Sequence, residues 1–269
     1  MPASTERAGN WVFIDGLSGD IEALKAALHE ADSSLALVAR LDQYYAGFDR
    51  VAPYQAARKK AFAPHEVAPS TSVVFPGFTD SIHVNVMAAT KASGYRAERL
   101  SGGLNRPDTS GYSPCLRMGD MVFMAGQLAR DAAGNIAAHG VAEETAYIVR
   151  NRIAPALEAS GSGVDLVLKA QAYVSGRASN FHDAWKRAFG DVPPTAVIPV
   201  QHPAFLSREA TVEINIIAAH ASARHKVRRQ GTSRILDGLV FADGPLPAGA
   251  RTVRRLEFGS VVDVWGYAA

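Results

Sequence analysis

Two stretches of the chain run in parallel. PSTSVVFPGF (Pro69–Phe78) and PPTAVIPVQH (Pro193–His202) are each followed by an alternating strand closing on two alanines, IHVNVMAAT (Ile82–Thr90) and VEINIIAAH (Val212–His220). Upstream of each lies a second matched pair, ALVARLDQYYAGFDRV (Ala36–Val51) and LVLKAQAYVSGRASNF (Leu166–Phe181). Helix-like stretches precede these, IEALKAALHEAD (Ile21–Asp32) and AEETAYIVRNRIAPALEASG (Ala142–Gly161). An apolar strand ending in glycine opens both halves, WVFIDG (Trp11–Gly16) and MVFMAG (Met121–Gly126). The shared order, strand, helix, strand, helix, strand, strand, predicts two copies of one α+β unit, each a mixed sheet with two helices on one face. The firmest helix is 142–161, whose apolar positions Ala146, Val149, Ile153 and Leu157 recur at three-to-four spacing. Phe181–Phe189 reads as the second helix of its copy, stopped by Gly190 and Pro193-Pro194.

The copies are expected to be unequal. Gly111–Gly140 contributes a strand and hairpin for which the first half shows no counterpart. The tail carries SRILDGLVFADGPLP (Ser233–Pro247), an echo of the RMGDMVFMAGQL that starts at Arg117. Either the tail supplies the strand that the first sheet lacks, or the echo is a coincidence of common strand residues. Gly102–Asn105 reads as a linker. The expected division is a degenerate first repeat at 1–100, a second repeat at 101–220 and a basic extension at 221–269.

The 269 residues are 48% hydrophobic and 20% charged, with a single cysteine, Cys115. That composition is globular and excludes a disulfide framework or a multi-cysteine metal site. No apolar run is long enough for a membrane helix and the start lacks a signal-peptide pattern, so a soluble, cytoplasmic protein with no membrane partner is expected. Net charge is only +2, but eight Lys/Arg crowd Ala221–Arg255 against Asp237 and Asp243. Such a run either binds an acidic partner such as nucleic acid or pairs with acidic faces of the protein itself; without interleaved aromatics the second reading is preferred.

GYSPCLRMGDMVFMAGQL, the helix ending NRIAPALEASG, AYVSGRASNFHDAWKRAFGDVPPT and VEINIIAA together resemble the Rid family, the YjgF-like reactive-intermediate deaminases once called L-PSP endoribonucleases. The resemblance spans Gly111–His220 closely and Trp11–Thr90 more loosely. It implies a chorismate-mutase-like α+β fold, trimeric self-association and ligand clefts between neighbouring sheets. It also implies hydrolysis of an enamine or imine, with an arginine gripping the substrate carboxylate and a last-strand glutamate handling water and protons. By this resemblance the arginine falls on Ala196 or Thr195, with Ser72 or Thr71 in the first copy, and no Lys or Arg lies between Arg187 and Arg208. The glutamate falls on Asn215, and on Asn85 in the first copy.

Those departures leave two readings: a cleft retuned to a ligand without strong negative charge, or polar strand residues satisfied by backbone. Tyr112 and Gln127 match the family's cleft-lining steps. The expected ligand site is therefore Tyr112, Gln127, Thr195 and Asn215, with catalytic residues unassigned and no metal or cofactor. Cys115 reads as a buried, inert thiol, and His182 and His202 as surface residues. The functional expectation is a Rid-type enzyme acting on an imine- or enamine-like metabolite, with a non-catalytic ligand-binding member as the alternative. Nucleic-acid cleavage ranks last, because no nuclease base, acid or metal set is present.

Overall fold

The computed structural model describes residues 3–76, 82–104 and 111–268. The first unit runs β1 (Ser4–Ala8), β2 (Trp11–Ser18), α1 (Ile21–Glu30), β3 (Val38–Tyr45), α2 (Val51–Phe62), β4 (Ser70–Val74) and β5 (Ile82–Ala89). Its sheet has the order β1-β2-β5-β3-β4, with β3 and β4 parallel. After β6 (Glu98–Leu100), the second unit runs β7 (Cys115–Met118), β8 (Met121–Gln127), α3 (Val141–Ile148), a π turn (Val149–Ile153), α4 (Ala154–Ala159), β9 (Val167–Val174), α5 (Ala178–Phe189), β10 (Thr195–Pro199) and β11 (Val212–Ala219). Its sheet order, β6-β7-β8-β11-β9-β10, repeats the first with one extra edge strand.

The duplication extends to an irregularity. In the first sheet the β2–β5 register slips between Ile14 and Leu17, which face Val86 and Val84. In the second, Met124 and Gln127 of β8 face Ile216 and Ile214 of β11, the same one-residue bulge at the same place. Asp42 pairs with Asn85 and Gln171 with Asn215, so β3 and β9 superpose Arg40 on Lys169, Asp42 on Gln171 and Tyr44 on Tyr173. Both units are thus tandem copies of one α+β fold.

The copies are more equal than the sequence suggests. The first unit has its own hairpin partner, β1, an exposed strand (STERA) whose polar residues give no apolar alternation to read. The tail strands pair only with one another among the described residues. β12 (Arg228–Gln230), β13 (Ser233–Leu236), β14 (Leu239–Phe241), β15 (Arg251–Phe258) and β16 (Val261–Tyr267) form a separate five-stranded sheet, and the first sheet gains no strand from it. The echoed stretch is nonetheless a hairpin like β7–β8, turned at Asp237-Gly238, where both residues take positive φ as a two-residue hairpin demands. Glu98–Leu100 belongs to the second sheet, and Asn105 of the expected linker lies outside the described residues.

Helix 142–161 is interrupted. Pro155 has no N–H to give the Asn151 carbonyl, and the helix widens into the π turn just before it.

The third sheet covers polar faces of the other two. Lys169 Nζ lies 2.7 Å from Asp263 Oδ1 of β16, and Gln171 Nε2 donates to Asp263 Oδ2 at 2.5 Å. Arg254 of β15 pairs with Asp15 at 2.7 Å and donates to the Val86 carbonyl. Arg40 donates to Gln171, and the Tyr44 and Tyr173 hydroxyls meet at 2.8 Å. Phe258 of β15 packs its ring 5.5 Å from that of Tyr44. These side chains are buried, so the sheets share an interior of paired charges, where each member depends on its partner. Burial alone would raise the Asp263 carboxyl, but Lys169, Gln171 and Trp265 together hold it below the ordinary carboxylate range.

Candidate functional site

A cleft of about 490 Å³ opens between the two units. The first unit supplies Gln55 and Arg58 from α2 and Ser70 and Ser72 from β4. The second supplies Tyr112, Gly126 and Gln127 at the bulged end of β8, Leu128–Gly134 beyond it, Arg152 from the π turn and Glu213 from β11.

Glu213 is the more deeply buried of the two carboxyl groups that line the cleft, 7% exposed. Burial pushes its carboxyl up to about 8, against the pull of Arg130 and a backbone hydrogen bond from Ser72, with the Asp42 charge adding to the rise. It is therefore largely a neutral acid at pH 7, able to donate a proton. Gly126 makes its position possible: a Cβ there would lie 1.9 Å from Glu213 Oε1. The glycine that ends MVFMAG thus makes room for a side chain of its own unit.

Three guanidinium groups face the cleft. Arg58 is 2% exposed; its Nη1 donates to Gln43 Oε1 at 2.6 Å and to Ser70 Oγ at 3.2 Å. Arg130 Nη2 donates to Ser207 at 2.5 Å, and Arg152 Nε donates to Gln127 Oε1 at 3.3 Å. Burial lowers the pKa of both Arg58 and Arg152.

Tyr112 and Gln127 therefore meet in one cleft, but Thr195 and Asn215 do not line it. Thr195 accepts from Trp185 Nε1 at 3.1 Å and donates to the Pro193 carbonyl at 2.7 Å, an internal tie between α5 and β10. Asn215 donates to Thr71 Oγ1 at 2.8 Å, joining β11 of the second unit to β4 of the first. Glu213 and Asn215 lie two residues apart on the same face of β11, and Glu213 is the one that reaches the cleft. Register also makes Ser70, not Thr71, the counterpart of Thr195, since both pair with equivalent positions on the neighbouring parallel strand.

The cleft that Tyr112 and Gln127 line carries fixed positive charge from three guanidinium groups. The strand position after Pro193-Pro194 does lack an arginine, yet Arg58 reaches the equivalent strand of the first unit from α2 and bonds Ser70. The remaining guanidiniums come from the loop after β8 and from the π turn, outside the strand segment between Arg187 and Arg208. Cys115 is buried with its thiol pushed up to about 11 by burial, and His182 and His202 are exposed. Among the described residues no group of three metal-ligating side chains occurs, and no helix is long and apolar enough to cross a membrane.

Residues 104–220 match the family model described as endoribonuclease L-PSP. No curated protein matches the chain. Among solved structures, yeast Mmf1 is 18% identical, with the match covering 46% of this chain and 98% of that one at a TM-score of 0.42. RidA from an Antarctic Psychrobacter is 19% identical over 45% of this chain and 98% of its own, with a TM-score of 0.40. A YjgF/YER057c/UK114 family member from Mycobacterium tuberculosis is 26% identical over 46% and 98%, with a TM-score of 0.39.

Proposed function

We propose, on the match of residues 104–220 to the endoribonuclease L-PSP model, a family also called YjgF or Rid, that the cleft hydrolyses the carbon–nitrogen bond of a small imine or enamine that carries a carboxylate. The observation that carries this reading is a neutral-leaning carboxyl, Glu213, buried in a cleft walled by guanidinium groups.

Arg58 grips the substrate carboxylate, its planar fork replacing the arginine missing from β10 and β4. Glu213 gives its proton to the imine nitrogen as a water oxygen bonds to the imine carbon. The resulting carboxylate takes one proton from that water and passes it to the amine nitrogen, then takes the remaining hydroxyl proton of the tetrahedral adduct as the carbon–nitrogen bond breaks, releasing ammonia and leaving a ketone. Proton and electron pairs balance, Glu213 ends as it began, and the enzyme supplies only position and a proton relay.

Seven of the eight tail cations favour a small-molecule role over nucleic acid. Arg224, Lys226, Arg229, Arg234, Arg251, Arg254 and Arg255 each pair with a carboxylate of the chain, which leaves little of the basic run to meet phosphates. A coupled assay that generates 2-aminoacrylate from serine tests the reading. The intact protein is expected to speed ammonia release, and Glu213→Gln to lose about 10²–10⁴-fold in kcat. Release no faster than the spontaneous rate would leave the non-catalytic ligand-binding alternative.

A further inference from the structure

A single carboxylate needs one guanidinium fork, and this cleft has more. Arg58 enters from the first unit; Arg130 and Arg152 enter from the second. Nη1 of Arg58 is committed to Gln43 and Ser70, and Nη2 has no hydrogen-bond partner among the described residues. Nη2 of Arg130 is committed to Ser207, and Nη1 has no hydrogen-bond partner among the described residues. Arg58 and Arg130 are thus each anchored through one nitrogen and offer another.

Charge balance within the described residues points the same way. The lining carboxylates are Glu213 and Asp131. Asp131 Oδ1 already accepts from the Ala133 and Asn135 amides, which folds the Leu128–Gly134 loop. Glu213 is protonated through most of the neutral range and cancels little positive charge. A ligand bearing one negative charge would neutralise one wall and leave the other cationic in a partly dehydrated cleft, which is costly.

We infer that the cleft takes a small ligand with two anionic groups, one held by Arg58 of the first unit and the other by Arg130 of the second, so that the ligand bridges the two copies. Resting on the proposed hydrolysis, the substrate would be the imine of a dicarboxylic acid, with Glu213 between its two anchored ends. A carboxylate paired with a phosphate offers the same two charges, and the choice of probes separates these sources.

Binding to the full chain is measured by calorimetry with pyruvate, 2-oxoglutarate and 3-phosphoglycerate, none of which needs turnover. The expected result is at least about tenfold tighter binding of one dianion than of pyruvate, as a second charged contact provides. Tighter 2-oxoglutarate identifies a dicarboxylate, and tighter 3-phosphoglycerate a phosphorylated acid. Arg130→Gln, at the partly exposed rim, should abolish the preference by weakening the dianion more than pyruvate; Arg58→Gln should do the same if it keeps the wild-type melting temperature. Pyruvate binding as tightly as both dianions, or a preference unchanged in Arg130→Gln, overturns the inference. Dianion preference without any imine hydrolysis would sink the catalytic reading alone.

Discussion

Glu213 carries the residue-scale predictions. Burial raises its carboxyl from the ordinary carboxylate range to about 8. If its neutral form donates the proton, kcat/KM holds at neutral pH and falls as pH rises through about 8, an inflection that Glu213→Gln removes. The stability effect has the same sign. A carboxyl whose folded pKa is raised costs the fold nothing below its unfolded pKa, and costs progressively more as pH climbs to the folded value. Glu213→Gln should therefore raise the melting temperature relative to wild type more at pH 9 than at pH 5. Equal shifts at both pH values would mean that Glu213 is not buried as a neutral acid. The strand's alternation could not have singled this residue out. Positions 213 and 215 face the same way, and only the bulge beside Gly126 decides which of them meets solvent. Tyr112 and Gln127 were legible because they adjoin the Gly-Tyr-Ser and Gly-Gln steps. Arg58 was not, because it reaches the cleft from a helix twelve residues before Ser70 in the chain.

At the scale of elements, the bulged β8 is the device that admits Glu213. Gly126→Ala would place a methyl where Oε1 now lies, so the carboxyl must swing away. The expected outcome is a folded protein with imine hydrolysis reduced about 10²-fold or more, comparable to Glu213→Gln. Activity within twofold of wild type would contradict the geometry. The third sheet gives a separate prediction. Asp263→Ala removes the partner of buried Lys169, and a buried charge left unpaired costs about 3–5 kcal/mol. Denaturant titration should show a loss of that order, against under ~0.5 kcal/mol for an exposed change such as Glu22→Ala. The repeated elements were legible in matched motifs spaced along the chain. The third sheet was not, since nothing in a run of arginines distinguishes Arg254, buried between sheets, from Arg255, paired at the surface.

For the whole molecule, trimeric association was expected because a single sheet-and-helix unit leaves a face to be covered. Here the inner faces of both units and the tail sheet cover one another within one chain, and one apolar cluster runs from Leu28 and Phe123 to Phe241 and Trp265. We therefore expect a monomer by light scattering, and a trimer would show that another face is covered between chains. The central claim is that one chain builds the working cleft from both its copies, Arg58 from the first and Glu213 from the second. Its most direct test is the rate of imine hydrolysis by wild type, Arg58→Gln, Glu213→Gln and an equimolar mixture of the two variants. Each variant should fall by at least about 30-fold, the lower end for loss of a charged contact, and the mixture should remain at the average of the two. A mixture that regains a substantial fraction of wild-type activity would mean that the cleft is shared between chains, and would contradict this account.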